Sequence, residues 1–312
     1  MVREQTLLLD KSAFQALSRE EHMELFKRYR LNVPPILVAE ILSDLTRSFS
    51  KSTPELKVAE FARKFGGSGD PVNVDWNILC SGNLGGEFVE MRGVTVTRDF
   101  SEHTLPDGER AILIEPGPLN QAIMRWADGN FSAAERAFAA RWRQRFAQMS
   151  TNALWQRLER RRIVVPRPRD APDVIRVVDQ LLAHQSLHDD LVTYLVEQVR
   201  PSPEGVRTIT ARWSRMRPVG LESFAPYAYH CLRAQLCVLV ATRHRLVRPE
   251  AKDHLDAQYL YYLPFCHCFS SNDRLHRLLA PQLLNAEQSF VHGTVLKAQL
   301  REARVARMSD RT

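Results

Sequence analysis

Four carboxylates stand where strand ends and helix starts would gather them. Asp10 closes the apolar run Leu7-Leu8-Leu9, and Glu40 lies inside Ile36-Leu37-Val38-Ala39-Glu40-Ile41-Leu42. Asp256 sits in the segment leading to Phe265-Cys266-His267-Cys268-Phe269, and Asp273 follows that run after Ser270-Ser271-Asn272. In an open α/β sheet, ligands bind beyond the carboxyl ends of the strands. Carboxylates crowded there without a cation push one another's pKa upward, and a divalent ion removes the conflict. Oxygen-only ligands suit Mg²⁺ or Mn²⁺, which keep several waters and grip phosphate oxygens. Metal-assisted hydrolysis of a phosphodiester is the chemistry such a set would perform.

Each acid also has a plainer use. Asp10 and Asp273 suit helix N-caps. Glu40 could face solvent or pair with an arginine, although its apolar neighbours make an unpaired buried carboxylate costly. Asp253 lies one helical turn before Asp256 on the same face, so either could be the third acid. The cluster Tyr259, Tyr261 and Tyr262 reads as core and core edge rather than as a base-stacking surface. Cys266-His267-Cys268 is no zinc site on a strand, because His267 points away from the two thiols. Gly82-Asn83-Leu84-Gly85-Gly86 lacks the Gly-Lys-Ser/Thr ending of a phosphate loop, and no Gly-x-Ser-x-Gly elbow occurs.

The elements that must position these acids are legible in outline. Thr6–Asp10 reads as a short buried strand. Ser18 with Glu21 forms a capping box opening a helix through about Arg30, and Leu31–Pro35 reads as a second strand. Pro35 starts a helix to about Ser48, and another covers Glu55–Phe65. Gly66–Asp70 marks a boundary. Beyond it, Glu87–Asp99 and Arg110–Glu115 read as strands, and Ser132–Ile163, Asp173–Val199 and Glu222–Arg245 as helices. Pro249 opens a helix ending at Pro264, Phe265–Phe269 is a strand, and a helix from Arg274 and a basic one over about Glu287–Met308 close the chain.

On Leu7-Leu8-Leu9-Asp10, on Val33-Pro34-Pro35-Ile36-Leu37-Val38-Ala39-Glu40 and on Asp256 through Asp273, the sequence resembles the PIN-domain family of metal-dependent nucleases. The resemblance implies an α/β fold, a parallel sheet flanked by helices, and endonucleolytic cleavage of RNA, less often DNA. It maps the metal-binding acids onto Asp10, Glu40, Asp256 and Asp273, with Ser12, Ser271 and Asn272 as supporting polar positions. Because 216 residues separate Glu40 from Asp256, the expected organisation is a PIN-like core from residues 1–65 and 246–312. A mostly helical, arginine-rich insertion at 66–245 would lie between them.

The chain has 312 residues and a net charge of +7. Its excess is concentrated: Ala133–Arg169 holds ten arginines and two acids, a net +8 that leaves −1 for the rest. Ten Arg against two Glu with no Lys points to a polyanion. Arg141, Arg145, Arg157, Arg160, Arg161 and Arg162 are the expected phosphate contacts, with RNA ahead of DNA. A second copy of the chain or an inhibitory protein are further candidate partners. No apolar run reaches membrane length. The five cysteines form an odd set, and no secretory pattern opens the sequence, so a cytoplasmic protein with reduced thiols is expected. The rival to the nuclease is a non-catalytic nucleic-acid-binding or scaffold protein on the same fold, and a second rival is a nuclease acting on DNA.

Overall fold

Strand β1 (Gln5–Leu9) is buried on both faces from Thr6 onward, as a central strand of a parallel sheet covered by helices must be. Asp10 caps α1 (Lys11–Ala16) by accepting from the Ala13 amide at 2.8 Å. The Ser18–Glu21 capping box opens α2 (Arg19–Arg28) as expected. That helix ends earlier than the pattern suggested, because β2 (Tyr29–Asn32) takes the next residues into the sheet. Pro35 stands at the first position of α3 (Pro35–Leu42), and α4 (Pro54–Phe65) follows. The computed structural model describes residues 5–50, 52–65, 70–93, 95, 100–104, 110–114, 118–146, 152–217, 219–250 and 252–309.

The middle of the chain holds α5 (Trp76–Gly85), the antiparallel pair β3 (Phe100–Thr104) and β4 (Arg110–Ile114), and α6 (Pro118–Ala127). Residues 87–93 form no strand, against the alternation read there; 94 and 96–99 lie outside the described residues. The arginine-rich helical stretch expected over Ser132–Ile163 forms two helices, α7 (Ala133–Phe146) and α8 (Asn152–Arg160). The long helix expected over Asp173–Val199 is also two, α9 (Ala171–Leu182) and α10 (His188–Val199), joined through a tight turn at Gln185–Leu187. There α11 (Pro203–Met216), α12 (Leu221–Phe224) and α13 (Pro226–Arg243) complete the series. Helix α13 is buried nearly all round, from Cys231 and Leu232 to Val240 and Ala241, and it packs on α5, α9 and α12.

Then α14 (Asp253–Leu260), β5 (Cys268–Ser271), α15 (Arg274–Leu283), β6 (Ser289–His292) and α16 (Gly293–Ser309) return the chain to the sheet. The last strand expected at Phe265–Phe269 begins three residues later. Strand β6 takes Ser289–His292, residues that the helical expectation over about Glu287–Met308 includes. The sheet order is β2-β1-β5-β6, all parallel, with a further parallel bridge from Val33 to Val72 beyond β2. Its register sets Leu8 against Phe269 and Leu9 against Ser270. The fold is thus α/β, a parallel sheet flanked by many helices. One continuous hydrophobic cluster joins β1, α3, α9, α13, α14 and α15, so the middle helices share the core of the sheet. Among the described residues, no helix is long and apolar enough to cross a membrane.

Candidate active site at the strand ends

The pairing of β1 with β5 puts two chain ends side by side: the Asp10 amide donates to Ser270 O at 3.2 Å. Asp10, 4% exposed, accepts from Ser12 Oγ at 2.7 and 2.9 Å and from Ser271 Oγ at 2.7 Å. Ser271 is itself fully buried, and its Oγ lies 2.9 Å from His276 Nδ1. A serine has one proton to give. Ser271 spends it on Asp10, so His276 Nδ1 must donate to Ser271. His276 Nε2 faces the Asp256 carbonyl at 2.8 Å, which can only accept. With both ring nitrogens placed to donate, the surroundings favour the imidazolium form. Burial pushes that imidazole down, but the hydrogen-bonded Asp10 carboxylate, Asp256 and Asp273 outweigh it and raise its pKa to about 9. His276 Nδ1 also stands 3.5 Å from Asp10 Oδ2.

Glu40 projects from α3 toward the same place. Tyr259, buried on α14, donates its hydroxyl to Glu40 Oε2 at 2.5 Å. Burial raises the Glu40 carboxyl above its ordinary value, more than the Tyr259 hydrogen bond and Lys11 lower it, and Asp10 pushes it the same way as burial. Lys11 does not neutralise it: its ammonium binds the Glu40 carbonyl at 2.9 Å and Asp44 at 2.9 Å.

Asp256 and Asp273 share Lys252. Its ammonium is 2.5 Å from Asp273 Oδ2 and 3.2 Å from Asp256 Oδ2. The second contact is an ion pair outside hydrogen-bonding geometry, so Asp256 Oδ2 is buried with no hydrogen bond. Burial lifts the Asp256 carboxyl to about 7, with Asp273 and Glu40 adding to the rise and His276 and Lys252 opposing it. Asp273 caps α15 through the Leu275 amide at 2.7 Å. Burial pushes its carboxyl up, but His276 and Lys252 outweigh this and hold it below its ordinary value. Asp253 turns to its own helix start, accepting from the Glu250 amide at 2.8 Å. Asp256 is the one that stands against Glu40 and His276.

The structure therefore brings Asp10, Glu40, Asp256 and Asp273 together with Ser12 and Ser271. Asn272 joins them through its amide, which donates to Ser12 Oγ at 3.1 Å. Gly293, opening α16, makes room for it, since a Cβ there would lie 2.6 Å from Asn272 Oδ1. The cap reading of Asp10 and Asp273 holds alongside the cluster reading, because a cap uses only part of a carboxylate's acceptor capacity. Sequence reasoning missed His276, Lys252, Tyr259 and Lys11. Three of them had a signal available: Lys252 and Tyr259 lie four before and three after Asp256, and His276 three after Asp273, all spacings that share a helix face.

Whether these residues suit a divalent ion turns on charge and geometry. The donors are all oxygen, and four carboxylates face two cations, Lys252 and His276, with one buried carboxylate oxygen, Asp256 Oδ2, making no hydrogen bond. That excess suits a hard dication. Among the described residues, however, no three carboxylate, imidazole or thiol groups lie within one ion's reach, and the Lys252 ammonium stands between Asp256 and Asp273. The donor chemistry fits, and an ion would have to displace Lys252.

Two wider depressions lie elsewhere. One of about 600 Å³ is lined by Asn77, Ser81, Glu87, Arg200 and Glu204. The other, about 470 Å³, is lined by Tyr229, His230 and Arg233. Neither includes an acid of the cluster. The cysteines are free and buried, and His267 Nδ1 receives the Thr6 amide at 3.1 Å, so no zinc set forms there. Tyr259, Tyr261 and Tyr262 are core, as expected.

The arginine field is divided. Arg157 pairs with Glu197, and Arg161 with Asp190 at 2.5 and 3.2 Å. These two phosphate contacts expected from sequence are thus engaged by acids of α10, which lie outside the basic window and reach it only because α8 packs there. Arg160 binds the Gln156 carbonyl of its own helix at 3.4 Å. Arg141 and Arg162 are exposed, and the Arg145 side chain lies outside the described residues. No protein-family model, no characterised protein and no solved structure matches the chain.

Proposed function

We propose that the chain is a Mg²⁺- or Mn²⁺-dependent endonuclease with a PIN-like core, cleaving RNA ahead of DNA, in the cytoplasm. One observation carries the reading: four carboxylates from four segments meet at the carboxyl ends of parallel strands, two of them, Glu40 and Asp256, with pKa values raised by burial. Asp10, Glu40, Asp256 and Asp273 would hold the ion. When bound, it supplies Lewis acidity to a phosphodiester oxygen and a more acidic attacking water. The chain's own groups set the stage for this. His276 and Ser271 orient Asp10, and Tyr259 orients Glu40. Lys252, about half exposed along its side chain, keeps Asp256 and Asp273 compensated and is free to withdraw into solvent.

The test is cleavage of an end-labelled single-stranded RNA. Cleavage should require Mn²⁺ or Mg²⁺, stop with EDTA and be lost in Asp10→Asn, whose amide keeps the shape and part of the hydrogen bonding. Cleavage that survives EDTA, or is undiminished in Asp10→Asn, sinks the proposal. The position of Lys252 favours a second reading, a non-catalytic nucleic-acid-binding protein whose acid cluster is closed by its own ammonium. That reading expects RNA binding with no Mn²⁺ binding heat and no cleavage.

A further inference from the structure

Helix α8 is fixed by its buried Leu154 and Leu158 and has two flanks. One meets α10 and has its arginines neutralised, as described above. The other meets the end of α13. There the Arg243 guanidinium lies over the Trp155 ring, 5.3 Å from its centroid, and the His244 ring meets Trp155 edge-on at 6.1 Å. Arg167 and Arg243 both face His244, adding to the effect of burial in lowering its pKa. Two parts of the chain distant in sequence thus share one edge: the stretch from the end of α8 through Arg167, and the turn after α13.

Arg160, Arg162, Arg167, Arg243, Arg245 and Arg248 are all exposed. Among the described residues only Arg243 has an acid within ion-pair range, Glu159 at 3.9 Å. Glu159 is itself engaged, accepting from Trp155 Nε1 at 2.7 Å. A second observation points the same way. Arg162 and Arg245 hold left-handed backbone, at φ 55° and 62°, just past the ends of α8 and α13, as Arg200 does past α10. Gly or Asn would sit there with less strain, and strained positions of this kind cluster at functional sites. The edge also adjoins the acid cluster. Arg248 is four residues from Lys252, at most about 14 Å of extended chain, and Lys252 is the ammonium on Asp256 and Asp273.

We infer that this edge, Arg162, Arg167, Arg243 and Arg245 around Trp155 with Arg160 and Arg248 beside them, binds the phosphate backbone of a single-stranded nucleic acid and delivers it toward the acid cluster. Delivery rests on the nuclease reading; binding does not. Helix α8 packs against α10 on one flank and the end of α13 on the other. A half-buried indole among guanidinium groups is the composition of a single-strand platform, with cations for phosphates and a ring for a base. Two acids act on these arginines: Glu159 beside Arg243, and Asp190, whose pKa Arg160 helps to lower.

The experiment measures anisotropy of labelled single-stranded RNA, single-stranded DNA and duplex DNA with the full chain in EDTA, where no cleavage occurs. Two triple variants are compared, R160Q/R162Q/R167Q and R243Q/R245Q/R248Q, with the neutralised pair R157Q/R161Q as control and circular dichroism melts for folding. Each triple should weaken single-strand binding about tenfold or more and make the log–log salt slope shallower by about 2, at roughly 0.7 per phosphate. The control should change affinity less than about twofold, and duplex should bind more weakly than either single strand. Preference for RNA over DNA would assign the 2′-hydroxyl a part; equal binding leaves the phosphates in charge, and both agree with the inference. It is overturned if the wild-type chain binds no single strand, if the triples bind as wild type, if the control loses as much, or if duplex binds best. Binding without Mn²⁺-dependent cleavage would fail the nuclease proposal and leave this surface standing. Cleavage that survives both triples would do the reverse.

Discussion

The acids at the strand ends and the arginines of residues 133–169 are opposite kinds of charge cluster. The acids are spread over 263 residues of sequence, from Asp10 to Asp273, and converge on one buried spot where each is held by a named partner. The arginines are contiguous in sequence and diverge in space: Arg136 goes to Glu55, Arg157 to Glu197, Arg161 to Asp190 and Arg169 to Asp173. Local density of charge therefore says little about a site, because surface helices find counter-charges wherever they pack. Convergence of buried like charges says more, since burying uncompensated carboxylates costs stability that packing alone must offset.

The largest effect expected from this contrast is on chemistry. Asp10→Asn should lower Mn²⁺-dependent cleavage by about a thousandfold or more, whereas Arg161→Gln should leave the rate within about twofold. Steady-state assays on the same RNA compare them directly, and similar losses in both would erase the distinction between the clusters.

Stability comes next. His276→Gln removes a buried imidazolium that three carboxylates face, at a cost of about 3 kcal/mol on the scale of its raised pKa. Its folded pKa is raised, so this contribution is fully present below the unfolded value of 6.5 and is lost as pH rises through about 9. Urea titrations should show the gap between wild type and variant shrinking from pH 6 to pH 10. A constant gap would mean that His276 is neutral.

Asp256 has the reverse sign. Its folded pKa, raised from 3.8 to about 7, means the folded state holds its proton longer than the unfolded one. Ionisation therefore destabilises the fold progressively from pH 4 to pH 7 and fully above. Asp256→Asn should gain stability relative to wild type by about 4 kcal/mol more at pH 8 than at pH 4. If denaturation curves give a pH-independent difference, Asp256 is a normally ionised partner of Lys252.

Smaller still is the effect at Lys252. Lys252→Met keeps the aliphatic stem and removes the ammonium, so Mn²⁺ should bind about tenfold more tightly by titration calorimetry. Weaker binding would make Lys252 a support of the acid cluster rather than a competitor. The smallest effect is Arg161→Gln on melting, expected to shift the midpoint by less than about 2 °C.

The parts of this fold that were readable are those whose signals are local. Leu7-Leu8-Leu9 reads as a central strand because both faces are apolar, and the Ser18–Glu21 box marks a helix start because its hydrogen bonds span three residues. Asp10 and Asp273 were legible because a cap follows a strand at a fixed offset. Strand β6 was not, since Ser289-Phe290-Val291-His292 is too short and half-exposed to carry a period. The break between α9 and α10 was missed because the apolar positions on both sides continue one helical stripe across it.

Taken alone, the sequence determined the α/β class, the acids and the excess of arginine, since these follow from residue type and short-range spacing. The tertiary structure decided which charges are compensated. Only the pairing of β1 with β5 sets Ser271 between Asp10 and His276 and so favours the imidazolium form. Only the packing of α8 between α10 and α13 divides the arginines into a neutralised flank and an exposed one. Electrostatic partnership depends on distance through space and on desolvation, and neither is a function of separation along the chain.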